Sequence, residues 1–381
     1  MFTFNKRIII SLVALFLVVL YLLGCSPKEK SQVVAKSNLK KETKELQSLK
    51  VSKEDKTIIP ILAYHHIKRN PDNFIAISPE MFEKHLKYLK ENGYTTITLD
   101  ALYNYITKNK PLPEKPVILT FDDGNRNVYL NAVPLLKKYN FKATFFIYPL
   151  VIHPKGRSFM SISELKKLHK LGFDVQSHTW SHPYLTKRGG NESGKAYINR
   201  IKKELVKSKN WLESTLNKRV EYLAYPFGVY NTEVEKMVLD AGYKLALTID
   251  EGVNIKSTPV TRIKRQIIFK KDTYKNFVDK VTTLPLFVLN LTPKDGEIIY
   301  INNPSVSATL QTTKDLNLKT IKMEIDLKKV DIYYNNVTKK ISLSKSMQFK
   351  KGFHYVTIKA RDKNNRLCEA SWGFIVKGGG K

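Results

Sequence analysis

The sequence predicts an α/β barrel with a largely parallel sheet, followed by a C-terminal all-β sandwich of the immunoglobulin-like kind. Three observations carry that prediction. Across residues 58–281, short β-branched and aromatic runs alternate with amphipathic stretches of helical period, the signature of strand–helix–strand units. Beyond residue 284, short alternating runs recur between turn signals with no helical period, which suits a sandwich. The chain has 381 residues, 42% of them hydrophobic, enough for two cores and too apolar for wholesale disorder.

The N-terminus sets the compartment. Lys6 and Arg7 precede an apolar run over residues 8–23 broken by Ser11, and Gly24 and Cys25 follow. Basic residues, an apolar stretch and a small residue form a secretory signal. Leu22-Leu23-Gly24-Cys25 also resembles a bacterial lipobox, in which Cys25 would carry lipid and become the mature N-terminus. The competing reading is an uncleaved anchor, because the run approaches the length that crosses a bilayer. The expectation is a signal peptide with lipobox over residues 1–25, leaving the protein lipid-anchored on the extracellular face of the bacterial cell membrane. Residues 26–57 hold nine Lys, five acidic residues and no aromatic, and read as a charged linker. Cys368 is the other cysteine, so no disulfide framework is expected despite export.

The α/β part is expected over residues 58–284. Residues 58–64 are a short apolar run, read as a buried strand. Ser78 and Pro79 supply an N-cap and a first helical position, and Phe82, Leu86 and Leu89 share one face as far as Gly93. Further strands are expected over 95–99, 116–121, 142–148, 173–177, 220–225 and 243–249. Helices are expected over 101–108, through Leu135 and Leu136, and over 162–171, 197–216, 232–241 and 274–281. Residues 282–293 contain two prolines and change the pattern. The sandwich, over 285–381, is expected to use strands at 305–310, 320–325, 329–334, 340–343, 354–360 and 370–376.

The formal charge is +31, from 65 basic and 34 acidic residues. Such a field favours polyanions, here acidic envelope polymers or anionic lipid headgroups, and equally describes a solvated lysine surface. Nucleic acid is not expected as a partner, given export and the lack of any arginine-rich or basic-aromatic motif.

Four segments carry chemistry, each at the end of an expected strand. Thr120-Phe121-Asp122-Asp123-Gly124 places two carboxylates where a barrel collects its active-site residues. Neighbouring residues point different ways, so one Asp can ligate a metal while the other acts as a base. Alone, the same residues would also make a plain turn or helix cap. His178-Thr179-Trp180-Ser181-His182 offers imidazoles at i and i+4, on one face of a helical turn, able to chelate one ion. One Asp and two His leave an open position, as a catalytic site requires, and a structural zinc would want four ligands, often thiolates. Tyr64-His65-His66 closes the first strand with a candidate acid. Tyr225-Pro226-Phe227-Gly228 ends another, with rings for a groove wall and a backbone N–H for an oxyanion.

Together these residues resemble the polysaccharide deacetylase family (carbohydrate esterase family 4, the NodB homology domain). The resemblance covers residues 58–281 and implies a distorted (β/α) barrel that hydrolyses N-acetyl groups with a divalent metal, Zn²⁺ ahead of Co²⁺ or Ni²⁺. It implies Asp122 as general base and Asp123, His178 and His182 as metal ligands. Trp180, Tyr225, Pro226 and Phe227 would contact substrate. Two departures stand out. The third family motif carries an Arg where this chain has Ala224, and Arg262 or Arg265 is the expected substitute. No His occurs between His182 and His354, where many members place the acid. Members acting on β-1,6-linked N-acetylglucosamine polymers look permuted, with this His in the first strand, which points to His65 ahead of His66. The implied substrate is poly-β-1,6-N-acetylglucosamine, with peptidoglycan, chitooligosaccharide or acetyl-xylan as alternatives. A glycan-binding surface lipoprotein without turnover is the reading from another class.

Overall fold

The computed structural model describes residues 57–153 and 156–378, so the expected signal peptide, Cys25 and nearly all of the linker lie outside the described residues. Parallel pairing dominates the first part. An eight-stranded sheet contains β1 (Ile61–Tyr64), β2 (Pro116–Phe121), β3 (Thr144–Ile147), β4 (Asp174–Ser177), β5 (Tyr222–Ala224), β6 (Leu245–Leu247) and β7 (Gln266–Ile267). Its order is β7-β1-β2-β3-β4-β5-β6, with the short Thr95–Thr96 strand also on β2, and every pairing is parallel. Most strands are apolar because both faces are covered, and β4 (Asp-Val-Gln-Ser) is the exception. Leu62, Leu119 and Val175 face one cluster, while Ile61, Ile118 and Leu245 face another. Residue 263 bridges β6 at Leu247, and β7 pairs with β1 at Leu62 and Ala63. The segment 263–267 therefore joins the two edges of the sheet.

Helices follow the strands, and all but α3 are opened by a side-chain cap. They are α1 (Pro79–Glu91), α2 (Leu99–Lys108), α3 (Arg126–Tyr139), α4 (Ile162–Lys170), α5 (Gly194–Leu216), α6 (Thr232–Asp240) and α7 (Tyr274–Thr282). Ser78 caps α1 by accepting from the Met81 N–H, with Pro79 at the first helical position as expected. A capping box of Ser161 and Glu164 opens α4, and Glu164 also takes Arg126 at 2.9 Å, tying α4 to α3. The strand expected over 95–99 stops at Thr96, because the Thr98 hydroxyl accepts from the Ala101 N–H and opens α2 at Leu99. Among the described residues, no helix is long and apolar enough to cross a membrane.

The C-terminal region is all-β. Its strands are β8 (Leu284–Pro285), β9 (Val288–Thr292), β10 (Glu297–Ile299), β11 (Ser307–Leu310), β12 (Leu316–Ile325), β13 (Lys328–Val330), β14 (Ile332–Asn335), β15 (Lys340–Leu343), β16 (Gly352–Asp362) and β17 (Leu367–Val376). One sheet has the order β8-β17-β16-β12-β13, with β10 also on β17, and the other β9-β11-β15-β14. The pairings are antiparallel except that β8 and β10 run parallel to β17. Ala308, Leu310 and Ile341 of one sheet share a core with Met323, Val356, Trp372 and Phe374 of the other. The single strand expected over 329–334 is two, β13 and β14, which belong to different sheets. The short strands β7, β8, β9 and β10 were not expected, since two to five residues show too little alternation to read.

Phe145 sits in the core between the sheet and its helices, 1% exposed and stacked on Phe121 at 4.9 Å between ring centroids. Truncation there leaves a void that neighbouring strands cannot fill. Phe145→Ala should lower stability by about 3–5 kcal/mol, read as a lower urea midpoint with the slope unchanged.

Candidate active site

Four strand ends converge on one site. β2 runs into Asp122, whose N–H donates to the Tyr64 carbonyl of β1 at 3.0 Å. Asp123 then adopts φ 75° and Gly124 φ 76°, turning the two carboxylates apart. β4 runs into His178, and the loop after it is not a helical turn as the i, i+4 spacing suggested. Thr179 and His182 have φ of 65° and 59°, and the Thr179 hydroxyl accepts from the His182 N–H at 3.1 Å. Ser181 donates from its N–H and its hydroxyl to Glu204 of α5, both at 2.8 Å. These bonds bend the loop so that His182 folds back over His178.

The donors converge. His178 Nε2 and His182 Nε2 lie 3.1 Å apart, and each is 3.6 Å from Asp123 Oδ1. A tetrahedral ion with ligand bonds of about 2.0–2.2 Å needs neighbouring donors about 3.3–3.6 Å apart, so the three atoms fit one divalent cation after a shift of about 0.2 Å between the imidazoles. Among the described residues this is the one cluster of at least three such side chains. His178 Nδ1 sits 2.8 Å from the Ala224 carbonyl. Nδ1 must donate there, which leaves the Nε2 lone pair directed at the cluster. Burial pushes the His178 pKa down to about 3 and that of His182 down as well, so both imidazoles are neutral and able to ligate. Burial, then the Asp122 charge, pushes Asp123 up to about 7. A buried carboxylate held above its ordinary range beside two neutral imidazoles calls for a cation.

Asp122 is in the opposite condition. It is 2% exposed, and Arg265, fully buried, donates to its Oδ1 at 2.8 Å. Burial raises the Asp122 pKa, yet the Arg265 guanidinium, helped by His178 and His65, outweighs it and holds the carboxyl well below the usual range. Oδ2 stays free of Arg265 and lies 3.8 Å from His65 Nε2. Burial pushes His65 down to about 4. His66 points elsewhere, with Nδ1 3.0 Å from the Asn127 amide of α3. The Asn125 amide donates to the His65 carbonyl at 3.0 Å, so the start of α3 holds the strand end that carries His65.

Of the two arginines expected to stand in at Ala224, Arg265 reaches Asp122. Arg262 instead grips Glu235 through Nε and Nη2, both at 2.7 Å, and Asp295 through Nη1 at 2.8 Å. The expected substrate contacts divide. Phe227 is 42% exposed and stacked on the exposed Tyr184 at 3.9 Å, with His182 edge-on at 4.6 Å. Tyr225 is a correction: it is fully buried and stacked on Tyr230, so it offers no face to a sugar, and Pro226 is buried with it. Trp180 turns away from the cluster, under the Lys207 ammonium at 3.7 Å, in a shallow groove with Val206 and Trp211. Sequence reasoning missed Tyr184 and also Tyr148, whose ring lies 5.2 Å from that of His182. Neither belongs to a motif.

The polysaccharide deacetylase profile matches residues 109–246. A solved polysaccharide deacetylase from Bacillus cereus is 30% identical, with a TM-score of 0.51, covering 59% of this chain and 69% of that one. The chain belongs to the polysaccharide deacetylase family. A deacetylase from Streptococcus pyogenes, solved with acetate, is similar at 27% identity and a TM-score of 0.54, covering 59% of this deacetylase and 98% of that chain. The poly-β-1,6-N-acetyl-D-glucosamine N-deacetylase of Staphylococcus aureus (strain MRSA252) is 28% identical over 239 residues, 58% of this chain and 81% of that protein.

The turn that presents Phe227 makes a stability prediction. A Cβ on Gly228, φ 67°, would lie 2.2 Å from Ile249 Cγ1 and 2.7 Å from its backbone N, whereas one on Gly93, φ 73°, meets nothing within 4 Å. Gly93→Ala should cost about 1 kcal/mol for the left-handed backbone alone. Gly228→Ala should cost clearly more, read as the larger fall in melting temperature of the pair.

Proposed function

We propose that this deacetylase is a metal-dependent hydrolase releasing acetate from a cell-surface or extracellular N-acetylglucosamine polysaccharide, with poly-β-1,6-N-acetylglucosamine as substrate. The observation that carries the chemistry is the convergence of Asp123, His178 and His182 beside an Asp122 that Arg265 holds ionised. The substrate reading rests on the first-strand His65 and on the similarity to the Staphylococcus aureus enzyme. Two imidazoles and one carboxylate favour Zn²⁺, with Co²⁺ or Ni²⁺ next. When bound, the ion supplies Lewis acidity toward the acyl oxygen and lowers the pKa of water beside it.

The protein's own residues do the rest. Asp122 Oδ2, the oxygen not taken by Arg265, accepts the proton of the attacking water. The Phe227 N–H donates to the oxyanion of the tetrahedral intermediate. His65 is neutral at rest, so it must gain its proton within the cycle; Asp122 Oδ2 is 3.8 Å away, beyond a direct hydrogen bond, and delivers it through one bridging water. His65 Nε2 then protonates the departing amine as the C–N bond breaks, leaving acetate and a free glucosamine unit. The stacked Phe227 and Tyr184 form an apolar wall at the mouth, against which a sugar ring can lie. We further propose that Cys25 carries lipid and holds the enzyme on the extracellular face of the membrane, within reach of such a polymer; the lipobox-like residues support this.

Acetate release from defined β-1,6- and β-1,4-linked N-acetylglucosamine oligomers tests the reading. Asp122→Asn should cut turnover at least about 10³-fold with metal content intact, and His178→Ala should lose both metal and turnover. Surviving turnover in Asp122→Asn, or release from β-1,4 oligomers alone, would overturn the roles or the linkage respectively.

A further inference from the structure

We infer that the all-β region is part of the catalytic apparatus, with Glu369 of β17 acting through Gln266 to position Arg265 and hence Asp122. This rests on the reading of Asp122 as the base.

Arg265 sits within the segment 263–267 that joins the two edges of the barrel sheet. In an extended segment, successive side chains point to opposite sides. Arg265 points inward, donating from Nε to the Thr248 carbonyl at 2.8 Å and from Nη1 to Asp122. Its two neighbours are held by the last strand of the all-β region. Gln266 Nε2 donates to Glu369 Oε2 at 2.7 Å, and Lys264 Nζ donates to the Ser371 carbonyl at 3.3 Å. The Ser371 hydroxyl donates to the Glu251 carbonyl, next to Asp250, whose own carbonyl accepts the Arg265 N–H at 3.2 Å. Residues 251, 264 and 266, which flank Arg265 and its partner Asp250, are thus each bonded to β17.

Burial makes the grip consequential. Gln266 is fully buried and Glu369 is 3% exposed, so losing their bond would leave a buried amide donor without its partner. Gln266 Oε1 has no hydrogen-bond partner, which leaves the bond to Glu369 as the anchor of that side chain. Glu369 is itself held by Lys359, whose ammonium also meets Glu251 at 2.6 Å and Glu324 at 2.9 Å. The arrangement is a chain of rigid contacts running from the strands β12, β16 and β17 to Asp122. A misplacement of Arg265 by a fraction of an ångström would be felt at Asp122 Oδ2, where the attacking water must lose its proton.

A second bridge between the two parts provides the control. Arg361 of β16 donates to Asp279 of α7 at 2.8 and 3.0 Å, and makes no hydrogen bond or ion pair with the segment 263–267 or with Glu369. The test uses the full chain, Zn²⁺-loaded, with acetate release from a β-1,6-linked N-acetylglucosamine oligomer. Glu369→Ala should lower kcat tenfold or more with KM within twofold and metal content unchanged. Glu369→Gln, whose carbonyl can accept from Gln266, should restore kcat to within threefold of the parent. Arg361→Ala should lower the melting temperature and leave kcat within twofold. Should Glu369→Ala not fold, Gln266→Leu removes the same bond from the barrel side, and the same kcat criterion applies. A kcat within twofold of the parent in the variant that folds overturns the inference. So does an Arg361→Ala loss as large as that of Glu369→Ala. Asp122→Asn is assayed alongside: if it turns over, the reading of the base fails. If it is dead while Glu369→Ala is unimpaired, only the present inference fails.

Discussion

The candidate active site depends on one buried ion pair, Arg265 with Asp122. Both side chains are essentially without solvent contact, at 0% and 2% exposure. A lone carboxylate there would protonate, because desolvation of the charged form costs several kcal/mol. The guanidinium reverses that outcome, and its geometry decides which carboxylate oxygen is free. Oδ1 is occupied by Arg265, so Oδ2 is left facing His65. Removing Arg265 would therefore change both the charge of Asp122 and its aim.

The two adjacent aspartates illustrate how environment separates identical groups. Asp122 is held ionised by a positive charge from the protein, while Asp123, one residue on, is raised by burial and by Asp122 itself. Its natural compensation is a cation shared with two neutral imidazoles. The left-handed backbone at Asp123 and Gly124 is what lets neighbouring residues serve two such different partners. The same device recurs at Thr179, His182 and Phe227, all at φ between 58° and 65°. Strain of this kind, gathered around one site, is held in place by the barrel core beneath it.

The all-β region is joined to the barrel by charge as well as by packing. Tyr230 lies 2.6 Å from Asp250 Oδ2 and 2.7 Å from Asp295 Oδ1, while Arg262 joins Glu235 to Asp295. Phe353 adds an apolar contact to Tyr230, and its ring fills the space over Gly373, where a Cβ would lie 2.2 Å from it. Partly buried ion networks of this kind fix orientation more than they add stability, since each charge is costly to desolvate. A β-sandwich fastened in this way is poorly suited to being a freely hinged spacer.

The sequence by itself determined the alternation of strands and helices, the all-β character of the C-terminal part, and the residues at the strand ends. These are local properties: apolar period, caps such as Ser78, and short motifs such as Thr120 to Gly124. The short strands β7 to β10 were illegible because pairing partners, not propensity, make them strands. The tertiary structure alone decided that Arg265 and not Arg262 meets Asp122, that His66 turns to Asn127, and that Tyr225 is core while Phe227 is exposed. Each of those outcomes depends on contacts between residues far apart in the chain, 143 positions apart for Arg265 and Asp122. No motif spans such a distance, because the residues that meet there are brought together only when segment 263–267 closes the barrel.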